Sequence, residues 1–249
     1  MQCLRDFRDL LALLTSLPLG GGSLEGAARA FSCVPLVGLV EGILVSLLLF
    51  LRLPPELFAS LFLLSHVLIT GGIHLDGLAD YGDVIGSRRR GEAALSVLKD
   101  PRKGAFGVLA LVLWAALGFS SGLLLQELFS RRPLLALSAV LASYVLAAES
   151  MYVLLLHSRE EPYEGIAKAF SSEAKRGGLR ANLVPLTIAL ALPALLFPLI
   201  LLLLPTALLL SIMFAKDAEG RLGFVNGDVA GFTYELVRLS CLLLSLLLV

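Results

Sequence analysis

About seven stretches of this chain are apolar for the roughly 20 residues that a helix needs to cross a bilayer, and charged or Pro-rich sequence separates them. They run from Phe31 to Leu51, Glu56 to Ile73, Ala105 to Leu128, Pro133 to Leu156, twice between Leu183 and Ala215, and from Val229 to Val249. The Leu183–Ala215 stretch is too long for one span at about 1.5 Å per residue, and Pro193, Pro198 and Pro205 mark where it breaks. A mean hydropathy of +0.88 with only 16% charged residues over 249 positions excludes an ordinary soluble domain. The expected fold class is all-α: a polytopic transmembrane helix bundle of about seven spans, forming a single integral membrane domain over residues 1–249.

Charge placement orients the bundle. Of the Lys and Arg residues, only Arg52, Arg131, Arg132 and Arg238 lie outside four segments: the N-terminal segment 1–30, the loop Ile73–Gly104, the loop His157–Asn182 and the loop Lys216–Asp228. The excess of basic residues predicts that these four segments and the N-terminus are cytoplasmic, with Arg52, the Arg131 region and Val249 opposite. The opening MQCLRDFRDLLALLTSLP mixes acids with Arg5 and Arg8 and has no small-residue cleavage site, so it reads as an interfacial helix. Net charge is zero, which gives no reason to expect nucleic acid as a partner. Cys3, Cys33 and Cys241 are too few and too scattered for a disulfide framework or a zinc site.

Chemistry concentrates in residues 74–104. Asp76, Asp80 and Asp83 follow directly on an apolar run, and on a helix they fall within an arc of about 60°. Carboxylates this close must protonate or gather a cation, and oxygen donors of this kind suit Mg²⁺ bridged to substrate phosphates. The basic sequence VLKDPRKGAFG then places Lys99, Asp100, Arg102, Lys103 and Gly104 just before a span. Cations, backbone N–H groups and the positive end of a helix dipole together suit a phosphate, so this group is the candidate substrate-binding segment.

A third cluster, GDVAGFTYEL, carries Asp228 and Glu235 on nearly one helix face. Glu235 would sit about 9 Å into the last helix and needs a partner, either substrate or Arg238 three residues on. Glu41 and Glu149 are further intramembrane acids, while His66 is expected to bond a neighbouring helix. Tyr163, Lys168, Phe170 and the run Ser171–Arg180 form a loop placed to cover a substrate.

Together these clusters resemble the cobalamin-5′-phosphate synthase family, also called adenosylcobinamide-GDP ribazoletransferases. The resemblance rests on GGIHLDGLADYGDVIG, LKDPRKGAFGVLAL and GDVAGFTYEL, with support from LLTSLP and FSCVPLVGLVEG, and covers nearly the whole chain in order. The chain departs from the family at Glu149, where an Arg is usual, and at DYGDV, where DTADG is common.

The resemblance implies a cell-membrane transferase that joins adenosylcobinamide-GDP to α-ribazole phosphate, with release of GMP and a requirement for Mg²⁺. Asp76, Asp80, Asp83 and Asp228 would hold the metal, and Lys99, Arg102 and Lys103 would take phosphate charge. His74 or a free carboxylate would accept the hydroxyl proton, so Asp76, Asp80, Asp83 and His74 are the candidate catalytic residues. Two alternatives share part of the pattern. CDP-alcohol phosphotransferases also use Asp-Gly-x-x-Ala, but Asp76-Gly77-Leu78-Ala79-Asp80 lacks their following Arg and spaced second half. A cation transporter would also use acids, yet near the membrane midplane on broken helices. Oligomeric state is open at this level.

Overall fold

A computed structural model describes residues 2–51 and 53–247. Arg52 and Val249, both expected on the far side of the membrane, lie outside the described residues. The described chain contains eleven α-helices: α1 Gln2–Leu14, α2 Leu24–Arg29, α3 Val34–Ser46, α4 Pro55–Thr70, α5 Ile73–Ser87, α6 Glu92–Leu98, α7 Ala105–Arg131, α8 Pro133–His157, α9 Ile166–Leu196, α10 Leu204–Leu222 and α11 Gly227–Leu246. Short 3₁₀ segments extend α3 at both ends and join α9 to α10. No strand occurs among the described residues, so the all-α expectation holds.

Six helical segments are long and apolar enough to cross a membrane, and the pair α4–α5, bent by 96°, brings the number up to seven. The expected division of residues 183–215 is present, with Phe197 extended between α9 and the 3₁₀ segment Pro198–Leu203. Helix α8 is central, buried along nearly its whole length against α3, α9, α10 and α11. The outer faces of α7 and α9 expose Val112, Leu113, Leu183 and Val184, as lipid-facing helices do. Small residues let the central helices approach: a Cβ on Gly38 would lie 2.4 Å from the Tyr144 carbonyl oxygen.

The four predicted cytoplasmic segments do gather at one end. Ser16 N–H donates to Ile69 O, Gly91 N–H to Arg221 O and Val225 N–H to Arg159 O. At the opposite end Gln126 Nε2 donates to Leu53 O and Phe50 meets Phe129 edge to face.

Two segments expected as loops are helical. Gly71 and Gly72 both adopt φ near +70°, at 65° and 69°, which stops α4 and turns the chain into α5. The acidic segment is therefore a helix, not a loop, and it packs on α7 and α11. The region 157–182 is likewise mostly helix from Ile166, because Ala167, Phe170, Ser171 and Ala174 recur at helical spacing and are buried. Gly178 at φ 60° interrupts that helix before it becomes a span.

Candidate active site

Helix α5 presents Asp76 and Asp80 on one face, one turn apart, as the spacing predicts. Lys103, from the segment between α6 and α7, closes onto them: its Nζ donates to Asp76 Oδ1 at 2.6 Å and Asp80 Oδ1 at 2.5 Å. Burial pulls the ammonium pKa down, but the bonds to Asp76 and Asp80 outweigh it and hold Lys103 above its usual range. The two acids thus already gather a cation, supplied by the protein itself.

Asp228 joins them from α11. Helices α5 and α11 touch through glycines: a Cβ on Gly77 would meet the Asp228 carbonyl oxygen at 2.6 Å, and one on Gly231 would meet His74 Cα at 3.1 Å. Asn226 caps α11 by accepting from Val229 N–H, while its Nδ2 donates to Asp228 Oδ2. One Asp228 oxygen is fixed by that bond; among the described residues the other has no such tether.

Asp83, the third expected acid, is tied to the start of α7. Its two oxygens accept from Gly104 N–H at 2.6 Å and Gly107 N–H at 2.8 Å. The first turn of α7 does bind an anion, as its unpaired N–H groups and dipole require, but the anion is Asp83. Gly104 is therefore not free to bind a phosphate through its N–H. Among the described residues no group of three or more His, Cys, Asp or Glu side chains is arranged around one metal position.

The rest of the basic segment is divided. Arg102 donates through Nε and Nη2 to Asp100, whose pKa this pairing lowers to about 2. Lys99 lies 4.4 Å from the centre of the Tyr163 ring. Glu161, which drew no attention in the sequence, stands close by: burial raises its pKa, the Asp228 charge adds to that, and Lys99 opposes it. Only its position beside Glu160 and Pro162 in a charged loop hinted at it. The segment 158–165 thus brings Glu161 near Asp228 and Tyr163 onto Lys99, whereas Phe170 and Ser171, expected in a covering loop, are buried in α9.

Glu235, the acid expected at substrate, lies inside the bundle. It is completely buried, with Oε1 bonded to His66 Nε2 at 2.8 Å and Oε2 accepting from Trp114 Nε1 and Arg238. Both oxygens are occupied, which ties α4, α7 and α11 together at this point. His66 takes the interhelical role expected of it, with Tyr144 on its other nitrogen. Glu41 accepts from Tyr234 Oη, while Glu149 keeps one buried oxygen without a partner.

His74 is buried and stacked on Tyr234, with ring centres 4.1 Å apart, and its Nε2 has no hydrogen-bond partner among the described residues. It lines a cavity of about 250 Å³ that also includes Asp228 in its wall.

The sequence profile described as cobalamin-5-phosphate synthase matches residues 6–246. Among curated proteins, the adenosylcobinamide-GDP ribazoletransferase of Halorubrum lacusprofundi is 34% identical, covering 96% of this chain and 95% of its own length. That of Pyrobaculum islandicum is 34% identical over 96% of this chain and 92% of its own. That of Pseudomonas savastanoi pv. phaseolicola is 35% identical over 96% and 97%. No solved structure matches. With a family match across almost the whole chain and relatives of this similarity at full length, this membrane protein belongs to the cobalamin-5-phosphate synthase family of enzymes.

Proposed function

We propose that the chain joins adenosylcobinamide-GDP to α-ribazole or its 5′-phosphate and releases GMP, in a Mg²⁺-dependent reaction at the cytoplasmic face of the cell membrane. One observation carries this reading. A cation, Lys103 Nζ, is held between Asp76 and Asp80, with Asp228 packed alongside across Gly77. An all-oxygen donor set around a position that already collects positive charge fits a hard divalent ion. Asp76 and Asp80 would hold Mg²⁺, which when bound neutralises charge on a pyrophosphate.

The remaining chemistry belongs to the chain's residues. A ribose hydroxyl of the acceptor attacks the phosphorus on the aminopropanol arm; the new P–O bond forms as the bond to GMP breaks. Asp228 Oδ1, free of Asn226, takes the hydroxyl proton. Lys103, bonded to the acids, and Lys99, beside Tyr163 and Glu161, supply positive charge to the departing phosphate, so positioning and charge do most of the work. Asp83 acts earlier, by fixing the start of α7 and with it the segment that carries Lys103.

The test is GMP release by purified protein in detergent. GMP should form from adenosylcobinamide-GDP only when α-ribazole phosphate is present, in equal amount to the corrinoid product. No release, or release independent of the acceptor, would contradict the proposal.

A further inference from the structure

The cavity beside Asp228 is not explained by the chemistry of the acids. Its wall is built mainly from Leu14 of α1, Phe31, Met151 and Leu155 of α8, and Ala167 and Phe170 of α9. Phe31 and Phe170 stack with ring centres 4.2 Å apart and planes inclined by 15°, which stiffens one side of it. Two polar side chains enter this apolar lining, Asp228 and His74. Among the described residues, His74 Nε2 is the one buried side-chain nitrogen without a hydrogen-bond partner. A buried nitrogen left unsatisfied is costly, and a ligand that completes it recovers that cost.

Size and chemistry choose between the two halves of the reaction. A cavity of about 250 Å³ admits a fused bicyclic ring and excludes a corrin macrocycle. An apolar chamber with a single ring nitrogen to satisfy suits a flat heterocycle rather than a guanine, whose amino and carbonyl groups would find no partners there. We infer that this cavity binds the benzimidazole-type base of the ribazole acceptor, with His74 Nε2 hydrogen-bonded to the ring nitrogen that carries no sugar. The base would lie between Phe170 and Met151, and its ribose would emerge at Asp228, against the acid pair. This assignment rests on the proposed transferase reading and adds to it which substrate enters where, and what selects the base.

Two cavity variants with opposite effects on size test it in full-length protein. Ala167→Leu reduces the chamber and Leu155→Ala enlarges it. With adenosylcobinamide-GDP saturating, Ala167→Leu should raise KM for dimethylbenzimidazole riboside phosphate by about tenfold, within the range for a side-chain-sized change in an apolar pocket. The smaller imidazole riboside phosphate should be far less affected. Leu155→Ala should shift preference the other way, toward a naphthimidazole riboside phosphate, and decides the matter alone if the first variant does not fold. KM for adenosylcobinamide-GDP should stay within about twofold in both.

His74→Phe keeps the stacking on Tyr234 but removes the nitrogen. It should abolish the wild-type preference for a benzimidazole over an indole riboside phosphate. Unchanged base preference in all three variants, or changes confined to the KM for adenosylcobinamide-GDP, would overturn the inference. Wild-type protein that releases no GMP with any acceptor would instead remove the transferase reading itself.

Discussion

A Cβ on Gly77 would stand 2.6 Å from the carbonyl oxygen of Asp228, so α5 and α11 meet at van der Waals contact of backbone on backbone. That approach is what places an acid from the last helix beside Asp76 and Asp80. Gly77→Ala should push the helices apart, at a cost of about 1–3 kcal/mol of stability. Turnover should fall at least about tenfold, because displacing a reacting group by even a fraction of an ångström is expensive in rate. Thermal unfolding in detergent and GMP release on the same preparation measure both. Wild-type turnover would mean that Asp228 does not need this position.

Asp76 and Asp83 should separate activity from stability. Asp83→Ala leaves the N–H groups of Gly104 and Gly107 without partners in a part-buried site, and should cost about 1–3 kcal/mol. Asp76 has a side chain 65% exposed and tethers only Lys103, so Asp76→Asn should fold normally and lose turnover. A stable Asp83→Ala protein, or an unstable Asp76→Asn one, would reverse the assignment.

Glu235 carries a third expectation. Its removal by Glu235→Ala strands the fully buried Arg238 and frees His66 and Trp114, a loss of about 3–5 kcal/mol. The double variant Glu235→Gln with Arg238→Met should recover much of that stability. If Glu235→Ala is as stable as wild type but inactive, the residue belongs to the substrate site after all.

Topology is tested by cysteine labelling in a background lacking Cys3, Cys33 and Cys241. Probes at Arg89, Lys168 and Arg221 should label from the cytoplasm and a probe at Arg131 from the other side. The structure already groups the first three at one end, through Gly91, Arg159 and their partners. Labelling of the Arg89 and Arg131 probes from the same side would contradict the arrangement of α7.

Span positions and the two ends of the bundle were legible because apolar length and basic loops act locally, within one segment at a time. The pairing of Asp76 with Asp80 was legible for the same reason: a one-turn separation brings them together on any helix. What escaped was set by distant partners. Asp83 meets N–H groups 21 and 24 residues away, and Glu235 meets His66 at a separation of 169. No spacing rule announces such contacts. The helix from Ile166 was readable in principle from the spacing of Ala167, Phe170 and Ala174, but the surrounding charges gave it the look of a loop.

Binding of a divalent cation on the pyrophosphate by Asp76 and Asp80 is the core of the proposed mechanism. Its most direct measurement is a Mg²⁺ titration of GMP release from adenosylcobinamide-GDP and α-ribazole phosphate, in wild type, Asp76→Asn and Asp80→Asn. After EDTA the wild-type rate should vanish and return saturably with added Mg²⁺, while both variants stay inactive across the titration yet remain folded. A chelator-insensitive wild type, or a variant that regains the full rate at the wild-type Mg²⁺ concentration, would contradict it.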